Sequence, residues 1–314
     1  MPEPRRVAAI DCGTNSLRLL VADIQGRQKV DLVREMRVVR LGEGVDETGV
    51  LAPGAIERTI TTTKEYFGII EALGATTVRF CATSAVRDAA NAEEFGDAIE
   101  QILGVRPEVL SGDAEARASF NGATREFGDG RTAVLDIGGG STEVVLGNAS
   151  SGRGDVEWAH SFDVGSVRLT ERFLASDPPT IDEVTACSDH LDRLLAPRLA
   201  DLAPAASFIG VAGTITTVAA HALGLDSYDH DAIHGARISL DDVRGACLSL
   251  MSMSVADRRA LPFMHPGRAD VIGAGAIVVE RLIEHLPLDT TELIISESDI
   301  LDGIAWAVAA EPLG

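Results

Sequence analysis

Two segments of this chain, about one domain length apart, repeat the same order of residue types. The first reads Val7-Ala8-Ala9-Ile10-Asp11-Cys12-Gly13-Thr14-Asn15-Ser16, and the second Ala133-Val134-Leu135-Asp136-Ile137-Gly138-Gly139-Gly140-Ser141-Thr142. In each, an apolar run delivers an Asp, a Gly stands two residues later, and hydroxyl residues follow the glycine. The chain then turns apolar again, through Leu17, Leu19, Leu20 and Val21 in one case and Val144, Val145 and Leu146 in the other. The pattern predicts a strand–turn–strand unit made twice. Glycine lets the backbone come close to a ligand and frees N–H groups to face an anion. The Asp at the strand end offers a carboxylate to a metal or a water, so two such turns would hold a polyanion from two sides.

At 314 residues the chain is expected to form two domains. It is long enough to bury roughly 75% of its unfolded surface without a covalent staple. Cys12, Cys81, Cys187 and Cys247 are scattered with no C-x-x-C pair, which fits free thiols in a reducing cytoplasm. Four apolar residues precede Asp11, too few for a signal peptide. The longest apolar run, Val271–Val279, contains two glycines and is too short to span a membrane. A net charge of −21 argues against non-specific nucleic-acid binding, and 4% aromatic content leaves little for base stacking. A phosphate site here must rely on local Arg or Lys, helix N-termini and divalent cations.

Strands are expected at Val7–Asp11, Leu17–Ile24, Val30–Val39, Val78–Ala82, Val109–Leu110, Phe208–Val211 and Leu293–Ser296. Helices are expected from Pro53, from Ser84 to Leu103, and over Asp113–Phe127, Ile181–Leu202, Thr214–Leu223, Leu240–Met251, Ala269–Leu286 and Ile300–Ala310. Gly128-Asp129-Gly130 reads as a break. It divides the chain into domains 1–128 and 129–314, with the last helix able to pack back on the first domain. Two similar mixed halves make this an α/β protein.

Several constellations carry chemistry. Thr14, Asn15 and Ser16 form a candidate phosphate cradle, although Asp-x-Gly-Thr alone is equally an ordinary hairpin. Gly138, Gly139 and Gly140 are harder to explain structurally, because three glycines weaken a strand end. Glu143 alternates onto one strand face, where it could join Asp136 in holding Mg²⁺; otherwise it is a solvated strand residue. Thr83 and Ser84 stand where a strand meets a helix and could cap it, with Arg87 reaching the same anion or simply pairing with Asp88. Glu115 early in a helix reads as a capping or dipole residue, or as a carboxylate that takes a proton from water. Gly213 and Thr214 open a third strand-to-helix turn. His234 reads as a structural histidine, and Arg268 with Asp270 as a helix-start ion pair.

These segments together resemble the exopolyphosphatase/guanosine pentaphosphate phosphatase family of the actin-like ATPase superfamily. The matches are Asp11-Cys-Gly-Thr-Asn-Ser-x-Arg-Leu, Arg40-Leu-Gly-Glu-Gly-Val, Ala82-Thr-Ser-Ala-Val-Arg-Asp-Ala-Ala-Asn91, Ser111-Gly-Asp-Ala-Glu-Ala-Arg117, Asp136-Ile-Gly-Gly-Gly-Ser-Thr-Glu143 and Gly213-Thr214. The resemblance implies two actin-like (ribonuclease H-like) domains flanking a cleft, and release of orthophosphate from chain ends of inorganic polyphosphate or from guanosine pentaphosphate. It implies Glu115 as the catalytic base. Asp136 and Glu143 become Mg²⁺ ligands with Asp11 assisting, and Mn²⁺ is the substitute metal. Thr14, Asn15, Ser16, Arg87, Gly138, Gly139, Gly140, Ser141, Thr142, Gly213 and Thr214 become phosphate contacts. A cytoplasmic homodimer with neither nucleic-acid nor membrane partners is also implied.

Two departures stand out. Ala114 replaces the first of two acidic residues usual before the Ala-Arg. Near the C-terminus, the usual Ser-Gly…Arg-Glu-Gly becomes Ser296-Glu297-Ser298-Asp299-Ile300-Leu301-Asp302-Gly303. The chain ends at Gly314, without the C-terminal helical domains of longer members, so short polyphosphates are the expected substrates. The competing classes are an actin-like sugar or acetate kinase, which Glu115 disfavours by supplying water as the acceptor, and a guanosine-nucleotide sensor that binds without turnover.

Overall fold

A computed structural model describes residues 3–127, 130–149 and 154–311 of the chain. Eleven strands form two sheets among these residues. The first sheet contains β1 (Arg5–Cys12), β2 (Ser16–Gln25), β3 (Gln28–Val38), β4 (Thr77–Ala82) and β5 (Glu108–Val109), in the order β3-β2-β1-β4-β5. The second contains β6 (Gly130–Ile137), β7 (Thr142–Ala149), β8 (Asp155–Phe162), β9 (Ser207–Val211), β10 (Arg237–Ser239) and β11 (Glu292–Ile295), in the order β10-β11-β9-β6-β7-β8. Read outward from the strand that carries the Asp, the two sheets match. β1 and β6 each pair antiparallel with the next strand and parallel with β4 or β9. The repeat legible at two turns is therefore a repeat of whole sheets, and the α/β reading with two related halves describes the fold.

The chain divides into two compact units, Met1–Gly122 with Ser298–Gly314, and Ala123–Glu297. The boundary expected between 128 and 129 falls on Gly128 and Asp129, outside the described residues. In the first unit, alternation along β1 sends Ala8, Ile10 and Cys12 to a core under helices Pro53–Leu73 and Ala92–Leu103. Val7 and Ala9 face the opposite way, onto the terminal helix Ile300–Ala310, with Ile300, Leu301, Ile304 and Ala305. Asp11 continues that second alternation. In the second unit, Ala133, Leu135 and Ile137 of β6 join a core with helices Ile181–Leu199 and Ile272–His285. Among the described residues no helix is long and apolar enough to cross a membrane.

Some expected elements differ. The helix expected over Ser84–Leu103 is two helices, Ser84–Arg87 and Ala92–Leu103. The interruption arises because Asn91 spends its side-chain amide on Leu51, accepting from its N–H at 2.9 Å and donating to its carbonyl at 3.0 Å. Thr83 and Ser84 do not cap: no side-chain cap bond forms, and the Ser84 hydroxyl lies 2.9 Å from that of Thr14. The helix expected to Phe127 ends at Ala123. Strand β8 and the helix Ser166–Phe173 were not anticipated from the sequence.

The unusual C-terminal segment is accounted for by charge. Asp299 and Asp302 form a capping box at the start of Ile300–Ala310: Asp299 Oδ1 accepts from the Leu301 N–H and Asp302 Oδ2 from the Asp299 N–H. The other oxygen of Asp302 accepts from Lys29 Nζ at 2.5 Å and Arg34 Nη2 at 2.6 Å. Asp302 is 1% exposed. Burial alone would raise its pKa, but Arg34 and Lys29 outweigh it and hold the carboxyl below the ordinary aspartate value of 3.8. A depressed folded-state pKa adds stability above pH 3.8 that disappears as pH falls through the lower folded value. Asp302→Asn is accordingly expected to lower the unfolding free energy by about 3 kcal/mol at neutral pH. In denaturant titrations that difference should shrink below pH 3.8; a difference unchanged down to acid would contradict the assignment.

Candidate active site

The β1–β2 and β6–β7 hairpins are built by the same bonds. The Gly13 N–H donates to the Ser16 carbonyl at 3.0 Å, and the Gly138 N–H to the Ser141 carbonyl at 3.0 Å. What stands opposite the Asp differs. Asp11 is in register with Arg18, and Asp136 with Glu143.

In the first unit, Arg18 donates to Asp11 Oδ2 from Nε at 2.9 Å and Nη2 at 2.6 Å, and its Nη1 pairs with Asp299. Asp11 is 4% exposed; burial raises its pKa, Arg18 lowers it, and Asp299 raises it again, for a net upward shift. Asp11 Oδ1 is buried with no hydrogen-bond partner among the described residues. The turn carbonyls are taken by the segment after β3. Thr14 accepts from the Gly42 N–H at 2.8 Å, and Asn15 from Val39 and Arg40 at 3.0 and 2.9 Å. Gly42 is required there, because a Cβ would lie 2.3 Å from Thr14 Cγ2. Arg40 adopts φ +50°, a strained value for a side-chain-bearing residue.

Glu115 lies on the helix Gly112–Ala123, where the Ser111 hydroxyl accepts from the Ala114 N–H. It is 6% exposed, and Arg87 Nη1 donates to its Oε2 at 3.0 Å and to the Leu110 carbonyl at 3.0 Å. Arg87, expected on phosphate, is thus found holding the carboxylate of the expected base. The helix crosses Ile300–Ala310 with backbones in contact: a Cβ on Gly122 would sit 1.8 Å from the Asp299 carbonyl oxygen, and one on Gly303 2.0 Å from that of Ala118.

In the second unit, the register places Asp136 and Glu143 side by side on one face of the sheet. Both are buried, and Ser161 Oγ donates to Glu143 Oε1 at 2.6 Å. Two adjacent hard-oxygen carboxylates suit Mg²⁺, which keeps waters and shares phosphate oxygens. Among the described residues no group of three or more His, Cys, Asp or Glu side chains is placed to hold a metal ion. Thr142, expected on phosphate, gives its hydroxyl to the Val164 carbonyl at 2.6 Å.

The triple-glycine turn leans on the helix Ser166–Phe173. The Ser166 N–H donates to the Gly138 carbonyl at 3.0 Å, and the N–H groups of Val167 and Arg168 donate to that of Gly139 at 2.9 and 3.1 Å. Gly165 packs so tightly that a Cβ would lie 2.5 Å from the Gly139 carbonyl. At the third turn, Ala212 takes φ +66° ahead of helix Ala212–Ala222, which no side chain caps. Arg268 lies over Gly213, where a Cβ would meet its guanidinium carbon at 2.4 Å. A cation beside an uncapped helix start suits a phosphate. Residues 13–16, 87 and 115 belong to one unit and residues 136–143, 213 and 214 to the other. Arg18, Ser161 and Arg168 were given no role from sequence. The signal that could have found Arg18 is its register opposite Asp11.

A family model described as the Ppx/GppA phosphatase family matches residues 20–308. A protein named exopolyphosphatase 2 from Mycobacterium tuberculosis is 46% identical over 319 residues, covering 97% of this chain and 98% of that one. The crystal structure of an exopolyphosphatase-like protein superposes with a TM-score of 0.91 at 40% identity, covering 98% of each chain. The Aquifex aeolicus member of the Ppx/GppA family superposes with a TM-score of 0.83 at 31% identity, covering 99% of this chain and 100% of that one.

The backbone contact at Gly122 leaves no soft atom to yield. Gly122→Ala is expected to destabilise the protein by about 1–3 kcal/mol in urea titration, as overpacking does. An unchanged midpoint would show that the helix bearing Glu115 is not fixed by that crossing.

Proposed function

The chain belongs to the Ppx/GppA phosphatase family, and we propose that it is an exopolyphosphatase that splits the terminal phosphoanhydride bond of inorganic polyphosphate to release orthophosphate. Two observations carry this reading: in one unit a buried carboxylate, Glu115, held by Arg87, and in the other a buried Asp136–Glu143 pair beside a triple-glycine turn. The relatives' names point the same way.

Glu115 takes a proton from the attacking water, and Arg87 fixes the rotation of its carboxylate through Oε2. The water oxygen bonds to the terminal phosphorus, the bridging P–O bond breaks, and the shortened chain leaves with its electron pair. Asp136 and Glu143 would hold Mg²⁺, which when bound neutralises charge on the phosphoryl oxygens. The turn at Thr14–Ser16 and the amides of Gly139, Gly140 and Ser141 would contact phosphate, as would Gly213 and Thr214. Arg18 already occupies Oδ2 of Asp11, so Asp11 assists only through Oδ1. Guanosine pentaphosphate is the second substrate reading, since the same chemistry removes its terminal phosphate. The four buried free cysteines fit a cytoplasmic, reducing setting.

Purified protein with Mg²⁺ and short polyphosphate is expected to release phosphate, and Glu115→Gln to lower kcat by about 10²-fold or more. Phosphate release undiminished in Glu115→Gln would remove Glu115 from the role. A higher kcat/KM for guanosine pentaphosphate than for polyphosphate would favour the second substrate.

A further inference from the structure

We propose that Arg168 is the positioning residue for the phosphate-binding amides of the triple-glycine turn, acting from behind the turn; this rests on the phosphatase reading of that turn. The basis is peptide geometry. A trans peptide is planar, so its C=O and N–H point in opposite directions, and fixing one aims the other. Among the described residues the single cis peptide is at Asp177-Pro178, so the turn peptides are trans.

Three successive carbonyls of the turn are gripped on one side. That of Gly138 accepts from the Ser166 N–H at 3.0 Å and lies 3.3 Å from the Ser166 hydroxyl. That of Gly139 accepts from the Val167 and Arg168 N–H groups. That of Gly140 accepts from Arg168 Nε at 2.8 Å. The paired N–H groups, on Gly139, Gly140 and Ser141, are therefore aimed the other way. Among the described residues no backbone carbonyl accepts from them in a turn, loop or cap bond. The first two carbonyls are held by backbone donors that any sequence would supply. The third depends on a side chain, so the Ser141 N–H is aimed by Arg168.

A side chain at Gly165 would disturb this grip, because a Cβ there would stand 2.5 Å from the Gly139 carbonyl. The guanidinium also sets a positive charge behind the turn, in a chain whose net charge of −21 opposes anions. Charge-assisted bonds of this kind are stronger and more directional than neutral ones.

The test is calorimetric titration of inorganic phosphate into the wild-type protein, Arg168→Met and Arg168→Lys, alongside thermal melts and the Mg²⁺ midpoint for phosphate release. Arg168→Met is expected to weaken phosphate binding about tenfold or more. Arg168→Lys, whose amine can still reach the Gly140 carbonyl, should stay within about threefold of wild type. The Mg²⁺ midpoint should be unchanged in both, since Asp136 and Glu143 are intact. Should Arg168→Met not fold, Arg168→Gln carries the same tenfold expectation. Wild-type affinity in the neutral variant, or equal loss in Arg168→Lys and the neutral variant, would overturn the assignment. Phosphate binding requires no turnover. Failure of wild type to hydrolyse polyphosphate would therefore sink the functional reading, whereas normal phosphate binding by Arg168→Met would sink this one alone.

Discussion

The carbonyl oxygens of two four-residue hairpin turns are the groups on which the rest of the structure depends. A β-hairpin normally leaves its turn carbonyls to water. Here each turn is gripped by the segment that follows the third strand of its sheet: Val39, Arg40 and Gly42 on one side of the repeat, Ser166, Val167 and Arg168 on the other. Once the carbonyls are held, planarity of the peptide decides where the amides face. Much else serves this grip. Gly42 and Gly165 are glycines because the gripping segment lies against the turn, and Arg40 accepts a left-handed backbone to reach Asn15.

The same scaffold then takes two electrostatic characters through one register position. Opposite Asp11 stands Arg18, so the buried carboxylate is met by a cation that also engages Asp299 at the terminal helix. Opposite Asp136 stands Glu143, so two buried carboxylates are adjacent on one face of the sheet. The first arrangement ties β1 and β2 to the helix Ile300–Ala310. The same unit carries the Arg87–Glu115 pair, on a helix held by Gly122 and Gly303.

Much of this was legible in the sequence where a local pattern sufficed. The apolar run, Asp and glycine mark β1 and β6, and the bounds of Ile300–Ala310 follow from the residues alone. β8 was missed because Glu157, His160 and Ser161 interrupt its apolar content, and Ser166–Phe173 because Arg168, Thr170, Glu171 and Arg172 leave it few apolar positions. Asp302 and Arg168 were beyond reach for a different reason. Their partners, Lys29 and Arg34 in one case and Gly140 in the other, are remote in sequence, and only the fold brings them together. The Ser84 hydroxyl shows the converse: a capping pattern was present, but Thr14 offered the better partner.

We propose that the residue facing each Asp across its hairpin assigns the metal to one half of the repeat. The direct measurement is the Mg²⁺ midpoint for phosphate release in Glu143→Gln and Asp11→Asn. The account predicts a rise of about tenfold or more for Glu143→Gln, and less than about threefold for Asp11→Asn, whose carboxylate Arg18 already engages. The reverse ordering, or an unchanged midpoint in Glu143→Gln, would contradict it.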